Sequence, residues 1–419
     1  MGVDPRAGLA LLILAAGCGG GADDDGGFEE STPILELAPR IARSCNVVSP
    51  TTEIGDGLTS DFDRVTLGGR HHALTTRTDA TIALAPLGLE PIALGAPVWS
   101  ASTTAWTYSP AAAPRDPGGL VVVWPENDLG PPEVHRVAIA VLDETGAQVG
   151  ATRYVTRSVE VEGPQLVLGP AGYTLAWTET AYDTRPRPSM WQLALDGDGA
   201  PQREPSMFVE DGAGGLIRHG AGFAVAWSAY EGDRYVSRVA LLDPSGALPA
   251  DPWVVPVPSG HYAYAPTLVS LGADVLIAWT EHFSPGEGDE NGYAIVRLAR
   301  MSDDGTVGPI QRLQAPEPGM VNVNPTFAQV DGALVLSWSR GDYIAVCGGC
   351  MSDNDMHLVQ LDPADLAPIS NVATLGGPSG LRSAPIATLD GRDFAYLLAI
   401  DRHARFDFAA AMVRCDALP

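Results

Sequence analysis

Leu276-Ile277-Ala278-Trp279-Thr280 is one of five versions of a single phrase. The others are Val121-Val-Val-Trp124, Leu175-Ala-Trp-Thr178, Val225-Ala-Trp-Ser228 and Leu336-Ser-Trp-Ser339. Their tryptophans, Trp124, Trp177, Trp227, Trp279 and Trp338, follow one another at a nearly even period. A short apolar strand recurring in this way marks an array of repeated β-units. Pro164, Pro266 and Pro325 precede Trp177, Trp279 and Trp338 by one constant interval. The same interval from Pro385 reaches Leu398, so Phe394-Ala-Tyr-Leu-Leu398 is a sixth unit with leucine in the tryptophan place. Arg64 to Arg77, through His72-Ala-Leu-Thr-Thr76, fits the frame loosely and makes a weak first unit.

The turn after each unit repeats too, as Leu142-Asp-Glu-Thr-Gly146, Leu195-Asp-Gly-Asp-Gly199, Leu242-Asp-Pro-Ser-Gly246 and Met301-Ser-Asp-Asp-Gly305. Aspartate opens such a turn by bonding its own backbone, and glycine supplies positive φ. Recurrence makes these hairpin turns and not calcium loops. Along the tryptophan strands one face is bulky (Tyr173, Leu175, Trp177; Phe223, Val225, Trp227; Val275, Ile277, Trp279). The other is slim (Thr174, Ala176; Ala224, Ala226; Ala278; Ser337). Side chains alternate across a strand, so the bulky face of one sheet fills the space left by the slim face of the next. The expected fold is an all-β, seven-bladed β-propeller over residues 34–419, with the tryptophans as packing and not as a sugar-binding row. The last unit lacks its outermost strand. Ile34 to Val48, with Leu35, Leu37, Ile41, Val47 and Val48, is placed to supply it and close the ring, which brings Cys45 to Cys415 as a disulfide.

The formal charge of −26 argues against nucleic acid, which needs a basic footprint. All 25 basic residues are arginine, so Schiff-base and P-loop lysine chemistry are ruled out. Residues 7–17 are apolar and end Leu14-Ala-Ala-Gly-Cys18. This resembles a bacterial lipoprotein signal, which implies residues 1–18 as the signal peptide, Cys18 as the lipidated residue and residues 19–33 as a flexible acidic, glycine-rich tether. The chain from residue 34 resembles the seven-bladed propeller lipoproteins of Gram-negative bacteria. The resemblance implies export and a lipid anchor, with Gly19 pointing to the outer membrane. Of the remaining cysteines, Cys347-Gly-Gly-Cys350 reads as a local disulfide staple.

No H-E-x-x-H, G-x-S-x-G or P-loop is present. The loops after the tryptophan strands vary most and are the expected binding face. They carry the candidate residues Glu126, Glu179, Glu281, His282, Arg340, Asp342, Asp401, Arg402 and His403. Three of these, Glu126, Glu179 and Glu281, each lie two residues past a tryptophan and suggest a carboxylate ring. The acidic loop Gly286-Glu-Gly-Asp-Glu-Asn-Gly292 reads as a polar loop and not as a calcium site. The expectation is therefore a monomeric, non-catalytic propeller that needs no cofactor or metal and binds a protein or glycan of the cell envelope. The alternative is a glycan-acting hydrolase or lyase using carboxylates of the same face.

Overall fold

The computed structural model describes residues 35–415 apart from 38, 42, 56–57, 78–79, 90, 104–106, 108, 129–131, 183–185, 232–233, 285–290, 331–332, 345–349, 376–382, 390–392 and 403–404. Cys18, the tether, Cys347, His403, Glu287 and Asp289 therefore lie outside the described residues. For Cys350, Asp401 and Arg402 only the backbone is described.

Every sheet is assembled in one order. Ala111–Pro114 pairs with the Trp124 strand Leu120–Asp128, which pairs with Val134–Leu142, which pairs with Arg153–Arg157. The order recurs in Glu160–Gly169, Gly172–Tyr182, Pro186–Leu195 and Ser206–Val209. It recurs in Gly212–His219, Gly222–Glu231, Arg234–Leu242 and Trp253–Val254. His261–Leu271, Asp274–Phe283, Tyr293–Ser302 and Gln311–Arg312 repeat it, as do Met320–Val330, Ala333–Ile344, Cys350–Leu361 and Ala373–Leu375. The loosely fitting first unit is a sheet of the same kind, Leu58–Leu67, Arg70–Arg77, Thr81–Leu89 and Trp99–Ser102, with Ile92–Leu94 added to its third strand. Ser383–Leu389, Asp393–Arg402 and Arg405–Cys415 take Cys45–Gly55, from the other end of the chain, as their fourth strand. The architecture is all-β and propeller-like.

Bulky-on-slim packing holds, with its direction reversed: each tryptophan packs on the preceding sheet. Trp227 meets Ala176, Trp279 meets Ala224 and Ala226, and Trp338 meets Ala278. All five tryptophans are buried, Trp279 completely. Side-chain amides bridge successive sheets. The Asn127 amide donates to the Val161 carbonyl at 2.8 Å and accepts the Val161 N–H at 3.0 Å. Gln165 spans from its own strand to Gly214 and Leu216 in the same manner. These amides satisfy backbone groups that lie beyond the ladder's reach.

The prolines set at a constant interval before the tryptophans mark β-bulges. The ladder slips between Glu162 and Gln165, between Tyr264 and Thr267, and between Val323 and Thr326. In each slip a residue of positive φ precedes proline: Gly163 (+51°), Ala265 (+50°) and Asn324 (+53°). Proline has no N–H to give a ladder, so the ladder is interrupted there. The aspartate turns are also as read. Asp143 accepts the N–H groups of Thr145 and Ala147, and Asp243 those of Ser245 and Ala247. These bonds hold both carboxyls below their usual range, led by the side-chain bonds from Thr145 and Ser245.

Cys45 and Cys415 are bonded and pair directly across their two strands. The N-terminal segment corrects one expectation. Leu35–Glu36 joins the outer strand Gln311–Arg312 of the Trp279 sheet, Leu37 is buried with Leu276 and Trp338, and Arg43 bridges to Ser370. Only from Cys45 does the chain pair with Arg405–Cys415. Ile41, Val47 and Val48 are exposed because this segment runs along outer strands and is covered by nothing further out.

Candidate active site

A buried indole N–H needs an acceptor, and a buried carboxylate needs a cation. Two sheets meet both needs with one glutamate. Trp124 Nε1–H donates to Glu126 Oε1 at 2.9 Å, and Arg136 Nε donates to Glu126 Oε2 at 2.6 Å. Trp177 Nε1–H donates to Glu179 Oε1 at 2.9 Å, and Arg157 pairs with the same carboxylate while lying over the Trp191 ring. Glu126 and Glu179 are buried and saturated within the fold. They hold the tryptophans in place.

The Trp279 sheet departs from this pattern. Glu281 stands at the same position and is equally buried, but it accepts no hydrogen bond from Trp279. Arg297 Nε and Nη2 both donate to it at 2.9 Å, and His261 Nδ1–H donates to its Oε1 at 3.0 Å. Trp279 Nε1 is left buried with no hydrogen-bond partner among the described residues. Burial alone would raise the Glu281 carboxyl. The bonds from His261 and Arg297 outweigh it and hold the group below the usual carboxylate range.

His261 opens the first strand of this sheet, on the near side of the bulge at Ala265 and Pro266, and lies opposite Phe283. Its ring sits 5.0 Å from Phe283 and 5.9 Å from Tyr293, centroid to centroid. Because Nδ1 carries the bonded proton, Nε2 carries the lone pair of the neutral ring. His261 is half-buried and flanked by two aromatic rings. A histidine fixed by a carboxylate, itself fixed by a bidentate arginine, is an arrangement suited to taking a proton from a bound water or hydroxyl.

His282 lies on the other face of the same strand as Glu281, 5.8–6.2 Å from the rings of Tyr262, Tyr264 and Tyr343. The Tyr343 ring lies where a side chain on Gly292 would stand, and its hydroxyl meets Ser284 Oγ at 3.2 Å. Burial, reinforced by the nearby His261, pushes the His282 imidazole down to about 4. The unfolded chain takes up this proton near the ordinary value of 6.5. Between those values the unfolded state binds more protons. The His282 contribution is therefore intact above 6.5 and is lost as pH falls towards 4. Replacing His282 with glutamine flattens the stability–pH curve across this window by about 3 kcal/mol. Urea unfolding at a series of pH values reads this, and equal slopes for the two proteins contradict it.

Of the nine candidate residues, the structure brings together Glu281 and His282, on opposite faces of one strand. Arg340 pairs with Glu317 at 2.8 Å on the next sheet, and Asp342 is exposed there. Glu126 and Glu179 form no open carboxylate ring with Glu281, since each is enclosed in its own set of donors. His261, Arg297 and Tyr293 are additions that the structure makes. The aromatic run His261-Tyr-Ala-Tyr264 before Pro266 departs from the Val159-Glu-Val-Glu162 before Pro164 in another unit, and that departure is the available signal.

No protein-family model matches the chain. No curated protein matches it either. Among solved structures it is similar to a protein of unknown function from Dyadobacter fermentans (11% identity, 73% of this chain and 94% of that one, TM-score 0.46). It is also similar to an α-L-arabinanase from Penicillium chrysogenum (13%, 73% and 92%, TM-score 0.45) and an α-L-arabinofuranosidase from Lactobacillus brevis (9%, 63% and 94%, TM-score 0.37). At this distance no residue's role carries over. The expectation of a non-catalytic, non-enzymatic binder is corrected here: two of these neighbours are glycan-acting enzymes. That expectation leaned on the lack of contiguous motifs, whereas His261, Glu281 and Arg297 come together from three strands.

Proposed function

We propose that the protein is a hydrolase of a neutral glycan, with His261 as the general base that activates water and Glu281 as the residue that orients it. The observation that carries the reading is the redirected Glu281: two sister glutamates hold their tryptophans, and this one gives up that bond to hold a histidine. Phe283 and Tyr293 supply apolar faces on which sugar rings can stack. Glu281 is kept ionised, so it is no proton donor to a leaving group. The charge of −26 repels polyanionic glycans and favours a neutral one.

The wheel is read as seven blades in a closed ring. Its support is that the first strand of each sheet packs beside the first strand of the next, and Ser383–Leu389 packs beside Leu58–Leu67. The Cys45–Cys415 disulfide supports an oxidising compartment, and export with a lipid anchor at Cys18 is the matching address. An unmodified Cys18 in the membrane fraction, read by peptide mass, would sink the anchor.

The test of function is the full chain incubated with neutral and uronate-containing polysaccharides while new reducing ends are measured. Release from a neutral polymer is expected. Unsaturated ends from a uronate polymer would make it a lyase, and cleavage of none would overturn the reading.

A further inference from the structure

We infer that Ser270, His219 and Asp303 form a second, nucleophilic site that hydrolyses esters of small carboxylic acids. It lies at the far end of the strand that begins with His261 and rests on different residues, so its failure leaves the glycan reading untouched.

His219 ends the strand Gly212–His219 and is buried. Its Nε2 is 2.7 Å from Asp303 Oδ1, in the turn of the next sheet. A carboxylate only accepts, so Nε2 carries the proton and Nδ1 the lone pair. Nδ1 is 2.9 Å from Ser270 Oγ, which therefore donates to it. Nucleophile, base and orienting carboxylate stand in the sequence that activates a serine, with the two ring nitrogens exchanged relative to the familiar serine hydrolases.

The repeat supplies an internal comparison. Between the Trp124 and Trp177 sheets the corresponding strap is Arg115 to Asp198 at 2.6 Å, an ion pair with no proton to exchange. The strand position matching Ser270 is there the exposed Leu168. Two independent changes, arginine to histidine and leucine to serine, thus meet at one point. Ser270 is half-buried and Asp303 is 62% exposed, so the site is shallow and suits a small acyl group. The turn of Gly272 and Ala273 follows at once, outside the ladder that ends with Leu271 and Asp274, and offers backbone N–H groups for the oxyanion.

Ser270 Oγ attacks the ester carbonyl carbon while its proton passes to His219 Nδ1. The tetrahedral adduct then expels the alcohol, which takes that proton, and leaves an acyl–Ser270 ester. Water attacks this ester, gives a proton to Nδ1, and releases the acid as Oγ recovers it.

A fluorophosphonate added to the full chain is expected to label Ser270, located by peptide mass spectrometry, and p-nitrophenyl acetate to be turned over. Ser270→Ala abolishes both. Asp303→Asn slows labelling about tenfold or more, Asp303→Glu restores it, and His261→Ala leaves it unchanged. If Ser270 stays unlabelled and acetate release is the same in wild type and Ser270→Ala, His219 is only a strap between sheets and the inference is overturned.

Discussion

His261→Ala yields a folded protein that cleaves its glycan about a thousandfold more slowly, within the range of roughly 10²–10⁴ that a positioned general base contributes. The side chain is half-buried and its one described hydrogen bond is to Glu281, so folding survives its removal. The loss appears in kcat, because a base acts on water in the transition state and contributes little to holding the sugar. Near-UV circular dichroism confirms that the variant is folded. A variant that keeps its rate within threefold while His261 is gone places the chemistry elsewhere.

Opening the Cys45–Cys415 bond removes about 5 kcal/mol of stability. The bond joins cysteines with a sequence separation of 370, so it closes almost the whole described chain into one loop. Chain entropy grows with loop length, which puts this cross-link at the top of the range such bonds reach. It also fastens Cys45–Gly55 to Arg405–Cys415, the pairing that ties the two ends together. Cys45→Ser with Cys415→Ser therefore lowers the thermal midpoint, and reductant lowers the wild type to match. A double variant as stable as the oxidised protein would mean that the ends are held by packing alone.

The periodic parts of this fold are legible because they are repeated. The tryptophans, their bulky and slim faces and the aspartate turns can all be read from spacing, and the Cys45–Cys415 pairing from the places of the two cysteines near the ends of the folded region. The proline frame is visible as well, but its meaning is not. Only the ladder slips at Gly163, Ala265 and Asn324 show that it encodes a bulge. The path of residues 35–43 is not legible, because a strand pattern does not say which outer strand it will join. The site is hidden for a related reason. Glu126, Glu179 and Glu281 look alike in sequence, and no neighbour of Glu281 along the chain says that it faces His261 on the strand before. What separates them is the set of donors that three-dimensional packing brings within hydrogen-bond reach of each carboxylate.

That exchange of partners is tested most directly by comparing Glu281→Gln with Glu179→Gln at the level of kcat per folded molecule. Each change strips a paired arginine of its counter-charge, so each costs about 3 kcal/mol of stability. The two differ in what else is lost. Glu281→Gln releases the tautomer and orientation of His261 and is expected to lower kcat about a hundredfold with KM nearly unchanged, whereas Glu179→Gln leaves kcat within twofold. Equal kcat values for the two variants would show that Glu281 is one more structural lock and that His261 is not the base.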